Sequence, residues 1–441
     1  ASDWQRWDPT KSQAITVSHM QYTSNELMGG DWTKGPQGTG ETAWEYGFLG
    51  DITLEAGELV EKWETPDDTT IIYRLRPGIR YQNIAPANGR EMTAQDVVWN
   101  MQMQFNYPTA WGTSTYPPSK PAEVTGSFLP GDPRRPQSIR AVDKYTVEVK
   151  VPAESQAIML LEMGDNSYVN PPEVWAGTGA GQGQGMGDWK KAVGSGAYMI
   201  TNLVPGSVVE MTKHPDYFET DPLYPGNRWP YITNIKLLVI PDLSTRQSAF
   251  RTGKIDLMPN TPEDGRQLLK QRPELKYANG YQSTWVLSGR MDKADLPYKD
   301  IRVRQALNLA VDKTAFLRDY FKGDGELLSY PYPGGKSWVK FRTELEDMPK
   351  TPQLPGSQAT VPELIKGGNI EKAKKLLAEA GYPNGFKAKV QMQSTSARVD
   401  EVSILKDMLA KVGVDLQLAV METGAGTRWT SPTAMTRCGT A

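Results

Sequence analysis

The amino-acid sequence predicts an α/β protein with more than one domain. The chain has 441 residues, and a single hydrophobic core seldom organises that many, so two or three domains are expected. Apolar residues make up 38% and charged residues 23%, as in ordinary globular proteins. Segments in which apolar residues alternate are interspersed with segments in which they recur at helical spacing, and this mixture indicates an α/β fold.

Strands are predicted first near the N-terminus, at residues 52–54, 58–64 and 70–75. In the third segment Ile71, Tyr73 and Leu75 alternate with more polar neighbours. Asp67-Asp68 supplies a turn before it, and Arg76-Pro77-Gly78 ends it. These patterns predict short strands separated by turns.

A helix is predicted to begin at Thr93, whose hydroxyl can cap free backbone N–H groups, with Asp96 in its first turn. Residues 112–138 are rich in Pro, Gly and Ser and are predicted to form a long loop. Residues 145–151 alternate cleanly and predict a strand. The glycine-dense tract at 177–187 spells no phosphate-binding signature, so a surface loop is favoured there.

The C-terminal half continues the mixture of strands and helices. An apolar strand is predicted at 235–242, followed by a short helix capped by Ser244 and Thr245. The turn at Pro297 and Asp300 leads into a helix in which apolar residues recur at helical spacing, namely Val303, Ala306, Leu307 and Ala310. Two more helices, 369–380 and 402–412, are each stopped by a glycine, and a strand at 414–420 follows.

Composition and motifs argue against several classes of function. The net charge of −2 comes with no basic tail, so nothing favours nucleic acid, and no apolar run approaches the ~20 residues of a membrane span. Two histidines and one cysteine, Cys438, give little basis for a metal site or histidine catalysis, and no cofactor is predicted. The usual hydrolase and zinc signatures are missing.

Two weaker chemical alternatives stay open from the residues alone. Carboxylate groups such as Asp67-Asp68 and those at 344–347 are able in principle to form an acid/base pair, but a solvated surface is favoured in such polar sequence. His19 beside Met20 is a conceivable soft-metal ligand, and a structural role is favoured for a lone histidine.

Six phrases of the chain, in order, resemble those of a known family. They are residues 59–81, Thr93–Val97, Val193–Tyr198 with His214–Phe218 after it, Asp242–Asp256, Leu296–Asp312 and 369–382. The most specific is the fifth phrase, residues 296–312, which reads Leu-Pro-Tyr-Lys-Asp-Ile-Arg-Val-Arg-Gln-Ala-Leu-Asn-Leu-Ala-Val-Asp. On these phrases the chain resembles the peptide/nickel-type solute-binding proteins of ABC importers, the extracellular solute-binding proteins of family 5, from about Leu59 to Val420.

The resemblance implies a periplasmic-binding-protein-like α/β fold of type II, in the three-lobed cluster, with lobes joined by a hinge. Residues 1–50 and 190–272 would form a discontinuous domain I, and 51–189 an inserted domain II. Residues 273–420 would form domain III, incomplete at its C-terminal side. Residues 421–441 show little periodicity and are predicted to be a disordered or non-native tail.

The function implied by the resemblance is capture, not catalysis. The chain would bind a small solute between lobes by hinge closure and deliver it to ABC permease subunits, as a monomer in the periplasm or anchored outside a bacterial membrane. Ala1 opens directly on polar sequence, so we expect the export signal to be absent from this chain, and a lipid anchor stays open. A ligand-sensing receptor is the second class, and a hydrolase is disfavoured.

The ligand is expected to be a peptide first. Oligosaccharide comes second because the chain has 13 tryptophans, and a nickel complex is the further alternative. The resemblance places a ligand-facing hinge strand at Tyr281, Ser283, Thr284 and Trp285, which can offer backbone N–H and C=O groups. It also places an N-terminal group near the ligand, namely Tyr22, Thr23 and Asn25. Trp44 and Trp111 are weaker candidates. The alternative for each residue is packing in a core or between lobes.

Overall fold

The computed structural model of the chain describes residues 20–42, 52–106, 136–164, 168–175, 188–278, 289–290, 293, 295–327, 347, 351, 356–393 and 396–421. The chain divides into two compact units. Unit 1 comprises residues 1–40 and 50–260, and unit 2 comprises 41–49 and 261–441. Unit 1 takes in predicted domain II and most of predicted domain I. The finer three-domain division stays a prediction, and the predicted tail after Met421 lies outside the described residues.

The described strands of unit 1 form three antiparallel sheets. The first pairs β1 with β2, the second has the order β3-β4-β6-β5, and the third has the order β7-β8-β9. The strands are β1 (Met28–Gly30), β2 (Glu55–Gly57), β3 (Val60–Asp67), β4 (Thr70–Leu75), β5 (Ser138–Ala141), β6 (Thr146–Lys150), β7 (Tyr198–Val204), β8 (Val208–Lys213) and β9 (Asn234–Leu238).

The predicted strand at 70–75 matches β4, and the predicted strands at 58–64, 145–151 and 235–242 overlap β3, β6 and β9, the last of them overrunning β9 by four residues. The alternation at Ile71, Tyr73 and Leu75 is confirmed, since all three side chains are buried in the core, and the Tyr73 hydroxyl donates to the Leu160 carbonyl at 2.9 Å. The predicted strand at 52–54 is wrong. Ile52–Leu54 is a 3₁₀ turn because the short β1 pairs only with the residues directly after it.

Three helices are described in unit 1: α1 (Ala94–Asn106), α2 (Gln156–Gly164) and α3 (Leu243–Arg251). The start of α1 agrees with the prediction, whereas the cap of α3 differs from it. At α1 the Asp96 carboxylate reaches back and accepts from the Thr93 backbone N–H at 2.8 Å. At α3 the cap is Asp242, not Ser244 or Thr245, because its carboxylate accepts from both hydroxyls and from the Thr245 N–H. An ionised acceptor at this position also interacts favourably with the helix dipole.

The described part of unit 2 contains a parallel strand pair covered by helices. Strands β10 (Lys387–Gln393) and β11 (Asp415–Met421) pair in parallel, joined through a helix as parallel strands require. The helices are α4 (Pro262–Gln271), α5 (Ile301–Ala310), α6 (Lys313–Ala315) with a π-helical turn at Phe316–Tyr320, α7 (Val361–Lys366), α8 (Ile370–Glu379) and α9 (Ser396–Ala410). Within the described ranges, no helix combines the length and apolar character of a membrane span.

The predicted periodicity of α5 is confirmed by its burial. Val303, Ala306 and Ala310 are buried in the core of unit 2, and Leu307 packs against them. Asp300 caps the helix, since its carboxylate accepts from the Arg302 N–H at 2.8 Å. The same carboxylate also holds the Arg302 guanidinium. One aspartate therefore fixes both the start of α5 and the side chain in its first turn.

Replacing Asp300 with alanine is expected to destabilise unit 2 by about 1 kcal/mol, because α5 loses its N-terminal acceptor. Urea denaturation of the full chain, followed by circular dichroism, measures the change. Asp295→Ala, in an exposed turn five positions earlier, is the matched control and should change stability by less than about 0.5 kcal/mol. Equal midpoints for the two variants would contradict the capping role.

Candidate functional site

The N-terminal segment of unit 1, Tyr22–Glu26, lies directly against the backbone of Gly194-Ser195-Gly196. The Gly196 N–H donates to the Thr23 carbonyl at 2.9 Å. A Cβ atom at Gly194 would lie 2.3 Å from the Thr23 carbonyl oxygen, and one at Gly196 would lie 2.4 Å from the Ser24 nitrogen. Both positions therefore require glycine, because the two backbones approach more closely than any side chain permits.

Gln82 fastens this contact from the loop that follows β4. Its side-chain amide is fully buried, and its nitrogen lies within hydrogen-bonding distance of the carbonyl oxygens of Tyr198 (2.8 Å), Thr23 (3.3 Å) and Gly196 (3.3 Å), which share its two hydrogens. Its backbone N–H donates to the Gly194 carbonyl at 2.9 Å. One residue thus joins the N-terminal segment, the glycine segment (Gly194-Ser195-Gly196) and β7. We call this set of contacts the glycine junction.

Asn25 is the centre of a hydrogen-bond network beside the glycine junction. Its side-chain oxygen accepts from the Ser195 hydroxyl at 3.1 Å. Its amide nitrogen donates to Glu58 Oε2 at 3.2 Å and to the Tyr217 oxygen at 3.1 Å. The side chain is 6% exposed, so these partners replace water almost completely.

Two partly buried carboxyl groups end this network. Glu58 Oε2 also accepts from the Glu26 N–H at 3.1 Å, and Glu219 Oε2 accepts from the Tyr217 hydroxyl at 2.5 Å. Burial raises the pKa of Glu58 to about 8, and the negative charge of Glu219 adds to the shift. Burial also raises the pKa of Glu219, against the hydrogen bond from Tyr217 and the charge of Arg76. The site therefore favours at least one protonated carboxyl at neutral pH.

A second polar chain runs from the N-terminal segment to α1. The Ser24 hydroxyl donates to Asn170 Oδ1 at 2.7 Å, and the Asn100 side chain donates to the Asn170 carbonyl at 2.7 Å. All three side chains are buried. The N-terminal segment is consequently held on both sides by hydrogen bonds that water does not compete for.

The described part of the predicted site is this N-terminal segment. The Tyr22 ring is half-buried and packs edge-to-face on Tyr198, with centroids 6.4 Å apart. Thr23 and Asn25 are buried within the contacts described above. The other predicted residues lie outside the described residues: Tyr281, Ser283, Thr284, Trp285, Trp44 and Trp111. A ligand-binding role for all nine stays a prediction.

Sequence reasoning missed several members of the network. Ser195 and Tyr217 lie inside phrases that carry the family resemblance, so those phrases were a usable signal. Glu58, Gln82 and Glu219 had no such signal. The partners of Glu58 and Gln82 are distant along the chain, and the bond from Gln82 to Tyr198 spans 116 residues. Glu219 is close to its partner Tyr217 but lies just after the phrase that ends at Phe218. Among the described residues, no group of three or more His, Cys, Asp or Glu side chains is arranged to hold a metal ion.

Comparison with known families adds a clear match. The sequence model for bacterial extracellular solute-binding proteins, family 5 Middle, matches residues 56–436. Relatives include heme-binding protein A of Haemophilus influenzae, 26% identical over 344 residues, covering 76% of this chain and 55% of that protein. Another is the periplasmic oligopeptide-binding protein OppA of Escherichia coli, 24% identical over 380 residues, covering 82% and 62%. The chain spans little more than half the length of such relatives.

Solved structures show the same fold. DppA from Helicobacter pylori, in complex with the peptide STSA, aligns with a TM-score of 0.65 at 21% identity, covering 98% of this chain and 73% of that one. AppA from Bacillus subtilis, in complex with a nonapeptide, aligns with a TM-score of 0.64 at 18% identity, covering 98% and 75%. These similarities confirm the predicted periplasmic-binding-protein-like α/β fold.

Replacing Gly196 with alanine is expected to destabilise unit 1 by about 1–3 kcal/mol. The new Cβ would clash with the backbone of Thr23 and Ser24, which could be relieved only by shifting that segment of the chain. Chemical denaturation of the full chain measures the loss. The control is Gly265→Ala within α4, where a Cβ meets nothing within 4 Å, and this change should be neutral or stabilising. A Gly196→Ala variant as stable as the control would show that the close approach is not required.

Proposed function

The chain belongs to the bacterial extracellular solute-binding proteins, family 5, and we propose that it is the receptor of an ABC importer that captures a small solute. The match of the family model to residues 56–436 is the observation that carries this proposal. In the proposed mechanism the solute binds between lobes and favours a closed form, which the permease subunits in the membrane recognise. The receptor acts as a monomer, in the periplasm or anchored outside the membrane.

The geometry of unit 1 supports a binding role because its N-terminal segment is preorganised. Thr23 and Asn25 are buried in hydrogen bonds, so the backbone that carries Tyr22 is fixed before any ligand arrives. A preorganised segment loses little conformational entropy when a ligand binds, which raises the affinity. In this proposal Tyr22 contacts the solute, whereas Thr23 and Asn25 hold Tyr22 in position.

A peptide is the first choice of solute, and oligosaccharide the second. Names of relatives point to the first choice, since several are oligopeptide-binding or di/tripeptide-binding proteins. Other similar proteins widen the range: one relative is a heme-binding protein, and solved structures include complexes with mannopinic acid and with nickel and histidine. A screen therefore has to include these other classes.

A thermal-shift screen of the full chain tests the proposal. The probes are dipeptides, longer peptides, β-linked oligosaccharides, nickel–histidine and hemin. A ligand at a hundred times its dissociation constant stabilises the folded state by ~2.7 kcal/mol, which raises the melting temperature by several degrees. We expect this shift with one peptide class. A cooperative melting transition that no probe moves would contradict the receptor proposal.

The predicted ligand-facing strand gives a sharper prediction. Trp285→Ala is expected to weaken binding of the identified solute about tenfold or more, because aromatic contacts often dominate such interfaces. Isothermal titration calorimetry of the full chain measures the affinity. Trp32→Ala is the control, since Trp32 is 56% exposed in a 3₁₀ turn of unit 1, and its loss should leave the affinity unchanged. Equal affinities for both variants would remove Trp285 from the site.

A further inference from the structure

The two carboxyl groups of unit 1 are connected through one continuous set of hydrogen bonds. Asn25 donates to Glu58 at 3.2 Å and to Tyr217 at 3.1 Å, and Tyr217 donates to Glu219 at 2.5 Å. These residues come from separate parts of the chain: the N-terminal segment, the turn between β2 and β3, and the loop after β8. The hydrogen bond from Asn25 to Tyr217 therefore ties the N-terminal segment to that loop, and each of its two residues also donates to one carboxyl group.

The direction of each hydrogen bond in this network is fixed. Asn25 accepts from the Ser195 hydroxyl through its oxygen, so its two amide hydrogens are available for Glu58 and Tyr217. Because the Tyr217 oxygen accepts from Asn25, its own proton goes to Glu219. Burial, with the neighbouring Glu219 and Glu58, raises the pKa of Tyr217 well above its ordinary value, so this hydroxyl keeps its proton.

The charges around the pair favour retention of a further proton. Glu55, on β2, adds a third carboxyl whose negative charge acts on Glu58. Arg76 supplies the positive charge that acts on Glu219, and its guanidinium also donates to the carbonyl oxygens of Gly57 (3.0 Å) and Glu58 (2.7 Å). Ionising both Glu58 and Glu219 would place two negative charges in a partly buried site, where they repel each other and are poorly solvated, which is costly.

We propose that Glu58 and Glu219 share one proton in the folded chain at neutral pH, and that losing this proton weakens the attachment of the N-terminal segment to the loop at Tyr217–Glu219. When the proton dissociates, it passes to solvent and the electron pair stays on the carboxyl oxygen. Both carboxylates are then negative and repel each other across the Asn25–Tyr217 bridge. This device is a property of unit 1 and stands apart from the identity of the solute.

The sign of the pH dependence follows from the raised pKa of Glu58. The folded chain binds this proton more tightly than the unfolded chain, so the stabilising contribution is fully present below the unfolded pKa of about 4.3. It is lost as the pH rises, through the folded pKa of about 8. Unit 1 should therefore become less stable between about pH 5 and pH 9.

Melting temperatures of the full chain, measured from pH 5 to pH 9, test the proposal in the parent and in Glu58→Gln. Glutamine keeps an oxygen acceptor for Asn25 and Glu26 but cannot ionise. We expect the melting temperature of E58Q, relative to the parent, to rise by about 3 °C or more across this range. The control Glu61→Gln removes an exposed carboxyl three positions along and should follow the parent.

A carbon-13 NMR titration of the carboxyl groups in the parent keeps the test independent of variant folding. The Glu58 resonance is assigned from its absence in E58Q or from sequential connectivity. It should titrate with a midpoint above about pH 6. In Glu219→Gln that midpoint should fall, because the repelling charge is gone. An ordinary midpoint near pH 4.3 for Glu58, or parallel melting curves for E58Q and the parent, would overturn the proposal.

Discussion

The close approach of two backbones at Gly196 and Thr23 is the constraint on which the rest of unit 1 depends. The hydrogen bond between them is 2.9 Å long, and neither Gly194 nor Gly196 leaves room for a Cβ atom. Gln82 then uses its buried amide to join both backbones to β7. A larger residue at Gly194 or Gly196 would separate these elements, and the hydrogen bonds that Gln82 makes to buried carbonyl groups would be weakened.

The same contact positions the polar groups that Asn25 joins. Ser195 lies between the two glycines and is held where its hydroxyl reaches Asn25. Asn25 in turn orients Tyr217 and Glu58, so the carboxyl pair is a consequence of the same backbone geometry. The arrangement suits the proposed receptor role, because a segment held by buried hydrogen bonds keeps its conformation with or without a ligand.

Local patterns in the sequence were sufficient for much of the fold. The alternation of Ile71, Tyr73 and Leu75 and the spacing along α5 reflect burial of one face, which sequence records directly. Helix caps were harder, since Asp242 and Ser244 are both good capping residues and only the backbone geometry decides between them. The roles of Gln82 and Glu58 could not be predicted from the sequence. Their partners lie tens of residues away, and a buried glutamine or glutamate has no local sequence pattern that marks it.

Native-state hydrogen exchange at the amide of Gly196 tests most directly whether unit 1 depends on the glycine junction. This amide donates to Thr23 within the region where the backbones are closest. We expect this amide to exchange only when unit 1 unfolds globally, with an opening free energy equal to that of the most protected strands. Exchange through a local opening of much lower free energy would show that the two backbones separate while the rest of unit 1 stays folded, which would contradict the account.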